Sequence, residues 1–359
     1  MRPASLNRLL AALLAILLLA ACANSPKTGT PTMLNLDSTF CFGYHQISVP
    51  ANAKTSIGQP IVYDQYKIRT HLHQGKEGYA ALIRKEEKYY APPGMDGEII
   101  RDSRELFPGG HAVVIGMKLH PENTTGQILL QQIGGIPHKY SLYRLLPQNF
   151  TVYEITGPDF ILKFEDDENT VLNKLYQESA SFLQRISPRK DLDVPAPDQR
   201  GVCIDSGFIA DANDGLGEHF FKTPFTFVTF PDLPGVEMRI SVNVGVVKPG
   251  GYLFDRKPAS SLAAMLDFFK FRTLRKAERT VNGVPGQEIL TAWTSDAGPQ
   301  FLFIWESTEN PRLKVEVDWG HQKDDSMGSR NTPSPVSTEQ AMAIWDAMLP
   351  TLKERSVKD

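Results

Sequence analysis

Four places in this 359-residue chain set side chains capable of chemistry at close spacing. His71 and His73 flank a single residue, so on a strand both imidazoles leave the same face, as a metal pair requires. No third ligand can be assigned, and two exposed histidines beside a turn fit the pattern better. Asp211, Asn213, Asp214 and Gly215 begin like a calcium loop. Such loops put oxygen ligands at alternate positions, with glycine sixth and glutamate twelfth. Here glycine is fifth and Lys222 stands twelfth, which describes a polar surface loop. Glu86–Glu87 and Asp324–Asp325 are adjacent carboxylates whose side chains diverge on a helix or strand, leaving them on a solvated surface and poorly placed as acid/base pairs. A Gly-x-Ser-x-Gly elbow, a His-Glu-x-x-His helix, a Walker loop and a Gly-x-Gly-x-x-Gly turn are all missing. The chain is expected to hold no catalytic residue, no metal and no cofactor.

The cysteines carry more. Arg2 and Arg8 precede an apolar stretch from Leu9 to Ala20, 12 residues long. That is too short to cross a ~30 Å hydrocarbon core as a helix, and it suits a signal-peptide h-region. It ends in Leu19-Ala20-Ala21-Cys22, which resembles a bacterial lipobox, so Cys22 is the expected lipidation site after removal of residues 1–21. Ala23 after the cysteine, rather than Asp, points to the inner leaflet of the outer membrane. Acyl chains contribute ~0.8 kcal/mol per buried CH₂, enough together for stable anchoring. Residues 22–35 are polar with Pro and Gly, a lipidated tether. Cys41 and Cys203 then remain in an oxidising compartment, where an even pair forms a disulfide more often than not. The alternative is two buried free thiols.

The elements that must position these residues follow from composition and periodicity. With 41% hydrophobic, 22% charged and 9% aromatic residues, the chain is globular rather than disordered. Lys plus Arg is 38 and Asp plus Glu is 41, with no basic run, so the electrostatic footprint of a nucleic-acid binder is missing. The length suggests about two domains. Residues 36–187 read as an N-terminal α+β domain, 188–199 as a proline-bearing linker, and 200–359 as a C-terminal α+β domain of similar plan. Apolar spacing predicts helices over 77–90, 169–186 and 260–271, and a last one capped by Ser337. Strands are predicted over 112–119, 150–155, 225–230, 236–247, 287–293, 301–305 and 313–319. Asn282-Gly283 marks a hairpin turn. Each domain is expected to be an antiparallel sheet packed by helices.

Residues Phe40-Cys41-Phe42-Gly43 through Val49-Pro50 resemble the opening of two-domain immunity lipoproteins cognate to type VI secretion lipase and phospholipase effectors. The second half is more similar to that family. Its resemblance runs through Gly201-Val202-Cys203-Ile204, Gly207-Phe208-Ile209, Pro234-Gly235-Val236, Leu274-Arg275 and Asn282-Gly283-Val284-Pro285-Gly286-Gln287-Glu288. The first half departs from the family pattern at Tyr44-His45-Gln46, where a more basic stretch is expected. The resemblance implies a periplasmic inhibitor, not an enzyme, that holds a secreted phospholipase effector between its two domains and blocks its active site or lid. Its other contact is with a membrane, through the lipid anchor. The alternative from the residues alone is a periplasmic lipoprotein hydrolase whose site is assembled from scattered positions.

Within the matching motifs, Gly235, Gly283 and Gly286 read as turn residues. Glu288 is either a buried partner of Arg275 or Arg279, or a surface strand residue. Trp293, Trp305 and Trp319 read as core. Polarity and length make the loops from Ala91 to Gly97 and from Gly320 to Asn331 weak candidates for partner contacts.

Overall fold

Alternating polar and apolar residues dominate the chain, and the computed structural model turns them into antiparallel sheet. It describes residues 34–88, 97–119, 124–190, 192–196, 199–212, 220–243, 253–255, 272–295, 297–309, 312–320 and 332–355. The signal segment, Cys22, most of the tether, loop residues 91–96 and 321–331, and the helix expected over 260–271 lie outside them. The fold is α+β: every strand pairing among the described residues is antiparallel, and helices pack on the sheets.

One 14-stranded sheet runs through most of the molecule. Its C-terminal part orders Arg272–Glu278, Gly286–Ser295, Gly298–Ser307, Arg312–Trp319, Val236–Asn243 and Phe221–Thr229 side by side. Its N-terminal part continues with Ile61–Tyr63, Tyr66–His71, Thr151–Thr156, Gly135–Leu146, Gly110–Leu119 and Gly97–Phe107. Three-stranded sheets join Ser38–Phe42, His45–Val49 and Lys353–Glu354, and Ile186–Pro188, Gly207–Ala210 and Gly201–Ile204.

The strand Phe221–Thr229 links the two parts. Lys222 registers with Val62, while Thr226 to Thr229 register with Ile57 to Lys54. The switch falls at Pro224, whose nitrogen cannot donate to a ladder, and the pairing with Val236–Asn243 is irregular between Thr223 and Thr226. Backbone pairing therefore crosses from residues before 188–199 to residues after it.

Helices cover the sheet with the expected faces. Glu168–Gln184 is capped by Asp167, which accepts from the Thr170 amide at 3.2 Å. It buries Leu172, Tyr176, Phe182 and Leu183. Gly75–Glu87 seats Ile83 on Val113 and Tyr143. The last helix, Thr338–Met348, has a complete capping box between Ser337 and Gln340. Its Trp345 meets Phe303 edge-on at 5.9 Å, in a core that also holds Trp305, Trp319 and Phe301. Asn282 and Gly283 both take positive φ, 46° and 85°, between the bridged pair Val281 and Val284, as a type I′ turn requires.

Candidate partner-binding surface

The starts of the two halves are fastened together. Cys41 and Cys203 form a disulfide with Cα atoms 5.7 Å apart, inside a buried cluster with Phe208. Next to it, Gly43 and Cys203 exchange backbone hydrogen bonds of 2.8 and 2.9 Å. Arg355 donates to the carbonyls of Gln199 and Gly201 and stacks over Phe208. Arg189 donates to the carbonyls of Gly207, Lys190, Asp193 and Ile204, so the proline-bearing segment leaves its strand in a fixed direction. Whatever surface meets a partner is carried on this braced frame.

The residues singled out above are placed as follows. His71 Nε2 lies 2.8 Å from Glu154 Oε2 on the neighbouring strand, whereas His73 sits past the strand end at φ 59°. The two imidazoles therefore do not share a strand face, and the described residues hold no group of three metal-ligating side chains. Asp211 accepts from the hydroxyls of Tyr44 and Tyr63 at 3.0 and 3.1 Å; the rest of that loop, 213–219, lies outside the described residues. Glu86 and Glu87 are half-buried rather than solvated. They accept from Ser141 and Ser103 because helix Gly75–Glu87 lies against those strands. Asp324 and Asp325 lie outside the described residues.

Trp293, Trp305 and Trp319 are core. Gly235 and Gly283 are turn residues with φ 86° and 85°. Gly286 is not. It opens a strand, and a Cβ there would come within 2.5 Å of the Trp305 indole, so close packing demands the glycine. Glu288 is buried at 1% exposure, paired with Arg275 at 2.5 Å and Arg279 at 2.6 Å. It also accepts from the Trp345 indole at 2.7 Å. Of the candidate loops, Gly97 begins a strand. Gly320 holds φ 96°, with its amide bonded to Gly235, which is a structural role.

Two surface features escaped the motif search. The first is apolar. Helix Thr124–Ile133 (TTGQILLQQI) contains no charged residue and buries only Leu130, leaving Ile128, Leu129 and Ile133 at 51%, 57% and 39% exposure. The strand Phe160–Lys163 runs beside its end, where Phe164 donates its amide to Gly134 and Ile161 approaches Gly135. Ile161 and Phe164 are themselves half exposed, so both of these neighbouring segments present large apolar side chains to solvent. A monomer seldom leaves such apolar surface in water unless it binds something. The run Ile128-Leu129-Leu130 in a helix without charge was its only mark in the sequence. The second is a cleft of ≈ 200 Å³ between Tyr44-His45, the 281–284 turn and the Lys353–Glu354 strand. Its residues come from four distant segments, the fourth being 305–313, and no local motif could announce it.

Against this geometry, residues 195–357 match the model of the Tle cognate immunity protein 4 C-terminal domain. The match covers 163 residues, a little under half of the chain. All the motifs of the second half that carried the resemblance lie inside the matched span, including Cys203, the 282–283 turn and Glu288. Solved structures are similar over nearly the whole chain. The immunity protein TplEi of the T6SS from Pseudomonas aeruginosa, complexed with "L" peptide, is 19% identical, with TM-score 0.59 over 91% of this chain and 100% of its own. A chain from the Tle4-Tli4 complex is 18% identical, with TM-score 0.62 over 92% of this chain and 100% of its own. At these identities the likeness is one of fold. No curated protein matches the sequence.

Proposed function

We propose that this chain is a non-enzymatic immunity lipoprotein that binds a type VI secretion phospholipase effector and neutralises it by occlusion. The observation that carries the reading is the match of residues 195–357 to the Tle cognate immunity domain. In this reading the chain is exported, acylated at Cys22 and held in the periplasm on the outer membrane. The effector is clamped between the N-terminal and C-terminal parts, which the Cys41–Cys203 junction keeps in fixed register.

The exposed apolar side chains of Leu129, Ile133, Ile161 and Phe164 are the surface this reading assigns to the effector. A helix that lies on a membrane carries Lys and Arg on its polar face, and Thr124–Ile133 has none. Interface cores, in contrast, are depleted of charge. A lipase must expose apolar surface around its own site to reach lipid, and covering that surface blocks turnover without any chemistry from the inhibitor. A tight complex at ~1 nM corresponds to about −12 kcal/mol, within reach of an interface of ordinary size.

The test is complex formation. Purified protein is mixed with a candidate type VI lipase effector carrying a Gly-x-Ser-x-Gly motif, and the mixture is run on a sizing column and by calorimetry. A stoichiometric complex is expected. Separate elution at micromolar concentrations of both proteins would overturn the proposal.

A further inference from the structure

Three surface turns meet where strand Gly135–Leu146 ends. Residues 147–150 close the hairpin from that strand to Thr151–Thr156. Residues 72–74 lead from strand Tyr66–His71 into helix Gly75–Glu87, and residues 205–206 join Gly201–Ile204 to Gly207–Ala210. The Gln74 amide donates to the Phe150 carbonyl at 3.0 Å, and Asn149 Nδ2 donates to the Ser206 carbonyl at 2.7 Å. The 147–150 turn is therefore fastened on both sides, on one of them to a residue from beyond the 188–199 segment. Phe150 holds φ 54° there, a left-handed conformation that a residue with a bulky side chain rarely takes. Gly or Asn would adopt it with less strain. The core makes little use of the ring. Phe150 is 59% exposed, with Gly75 beside it, where an added Cβ would meet the ring at 3.8 Å. Leu72 in the neighbouring turn is exposed as well. Strain held at a side chain the core does not need points to a use outside the fold.

We propose that the Phe150 ring is an anchor that enters an apolar pocket on the effector, at the seam between the N-terminal and C-terminal parts; the choice of occupant rests on the immunity reading. The surroundings of the ring fit a protein partner. The turns 72–74, 147–150 and 205–206 contain no Lys or Arg, and Asp205 is buried. Gln74 and Gln148 are exposed close to the ring in sequence or through the turn bond. An apolar centre with a polar rim and little charge is the anatomy of an interface core. A segment that lies on a membrane would carry basic residues instead. Because the turn is already fastened at both sides, placing the ring costs little ordering on binding, and a buried phenyl removes a large apolar area from water. The turn follows the end of strand Gly135–Leu146, whereas helix Thr124–Ile133 precedes its start. Its 12 residues span about 40 Å along the strand, so the ring is a second contact and not an extension of the apolar helix.

Phe150→Asn tests the anchor through two readouts on the full chain. Asn tolerates the left-handed conformation, so the melting temperature should stay the same or rise. Calorimetry against a candidate type VI lipase effector carrying a Gly-x-Ser-x-Gly motif should show binding weakened at least ten-fold. Phe150→Gly should lose affinity to the same extent. A clearly lower melting temperature in both variants would make the ring structural and overturn the proposal. Affinity equal to that of the wild-type chain in either variant would overturn it too, with the immunity reading left standing. A wild-type chain that forms no complex overturns that reading and the anchor with it. The membrane is checked with vesicles of phosphatidylethanolamine and phosphatidylglycerol, using the Cys22→Ser chain so that no acyl anchor contributes. No sedimentation that depends on Phe150 is expected, and its appearance would overturn the protein pocket.

Discussion

At the residue scale, Glu288 is the most consequential side chain in the described structure. Fully buried, it is tied to Arg275, Arg279 and the Trp345 indole, while Asp346 holds the outer side of the same arginines at 2.6 and 2.8 Å. Removing one partner of a buried pair leaves charge without compensation, at a cost of about 3–5 kcal/mol. Glu288→Ala should lower the urea midpoint by a corresponding amount without changing the denaturant slope. Two buried or half-buried groups contribute to the acid response. Burial alone depresses His45 to about 4. The unfolded chain thus takes up a proton near pH 6.5 that the folded one refuses until about pH 4. Stability should fall as pH drops through that window, by up to about 3 kcal/mol. His45→Gln should flatten that part of the stability curve. Burial opposes ionisation of Asp346, but Arg275 and Arg279 outweigh it and hold the carboxyl below its usual range. Its contribution is present above the ordinary carboxylate value and is lost as pH falls further. Asp346→Asn should remove that second, lower step in an acid titration followed by circular dichroism. At this scale the sequence offered the Glu288 pairing only as one of two readings, because strand alternation does not say which face of Gly286–Ser295 is covered. The covering helix lies about fifty residues further on.

At the element scale, the legible parts were those with their own local signature. Ser337 announced a helix start, Asn282-Gly283 a turn, and alternation seven of the strands, to within a few residues. Gly286 was misread because a glycine in a turn-rich stretch looks like a turn residue. Its reason, the Trp305 indole one strand away, is non-local. Gly286→Val should therefore destabilise by displacing Trp305, seen as a shifted tryptophan emission with a lowered melting temperature, whereas Gly283→Asn should be tolerated at its positive φ. Helix Thr124–Ile133 went unread because only ten residues carry its pattern and only Leu130 among them is buried. On the immunity reading its exposed apolar residues face the effector instead. Leu129→Asp combined with Phe164→Asp should leave melting unchanged within about 0.5 kcal/mol, since both positions are exposed. The same variant should weaken effector binding at least ten-fold, as measured by calorimetry.

At the scale of the whole molecule, a proline-bearing segment at 188–199 suggested where one domain ends and another begins. What it could not convey is the return of Phe221–Thr229 to pair with residues 54–57 and 61–63, because long-range pairing leaves no trace in local composition. The Cys41–Cys203 bond closes a loop of 162 residues. Replacing both cysteines with serine should cost about 2–4 kcal/mol, read as a lower melting temperature under oxidising conditions. At the other end of the chain, Cys22→Ser should abolish the lipid mass on the mature N-terminus and release the protein from the membrane fraction. Retention of both would refute the anchor. The central claim is neutralisation by occlusion, and the most direct measurement is a titration of the purified soluble chain against the candidate lipase on phospholipid vesicles. Activity should fall linearly to the background at one equivalent, and the chain alone should turn over no ester. Lipase activity that persists at stoichiometric excess, or ester hydrolysis by this chain by itself, would contradict the account.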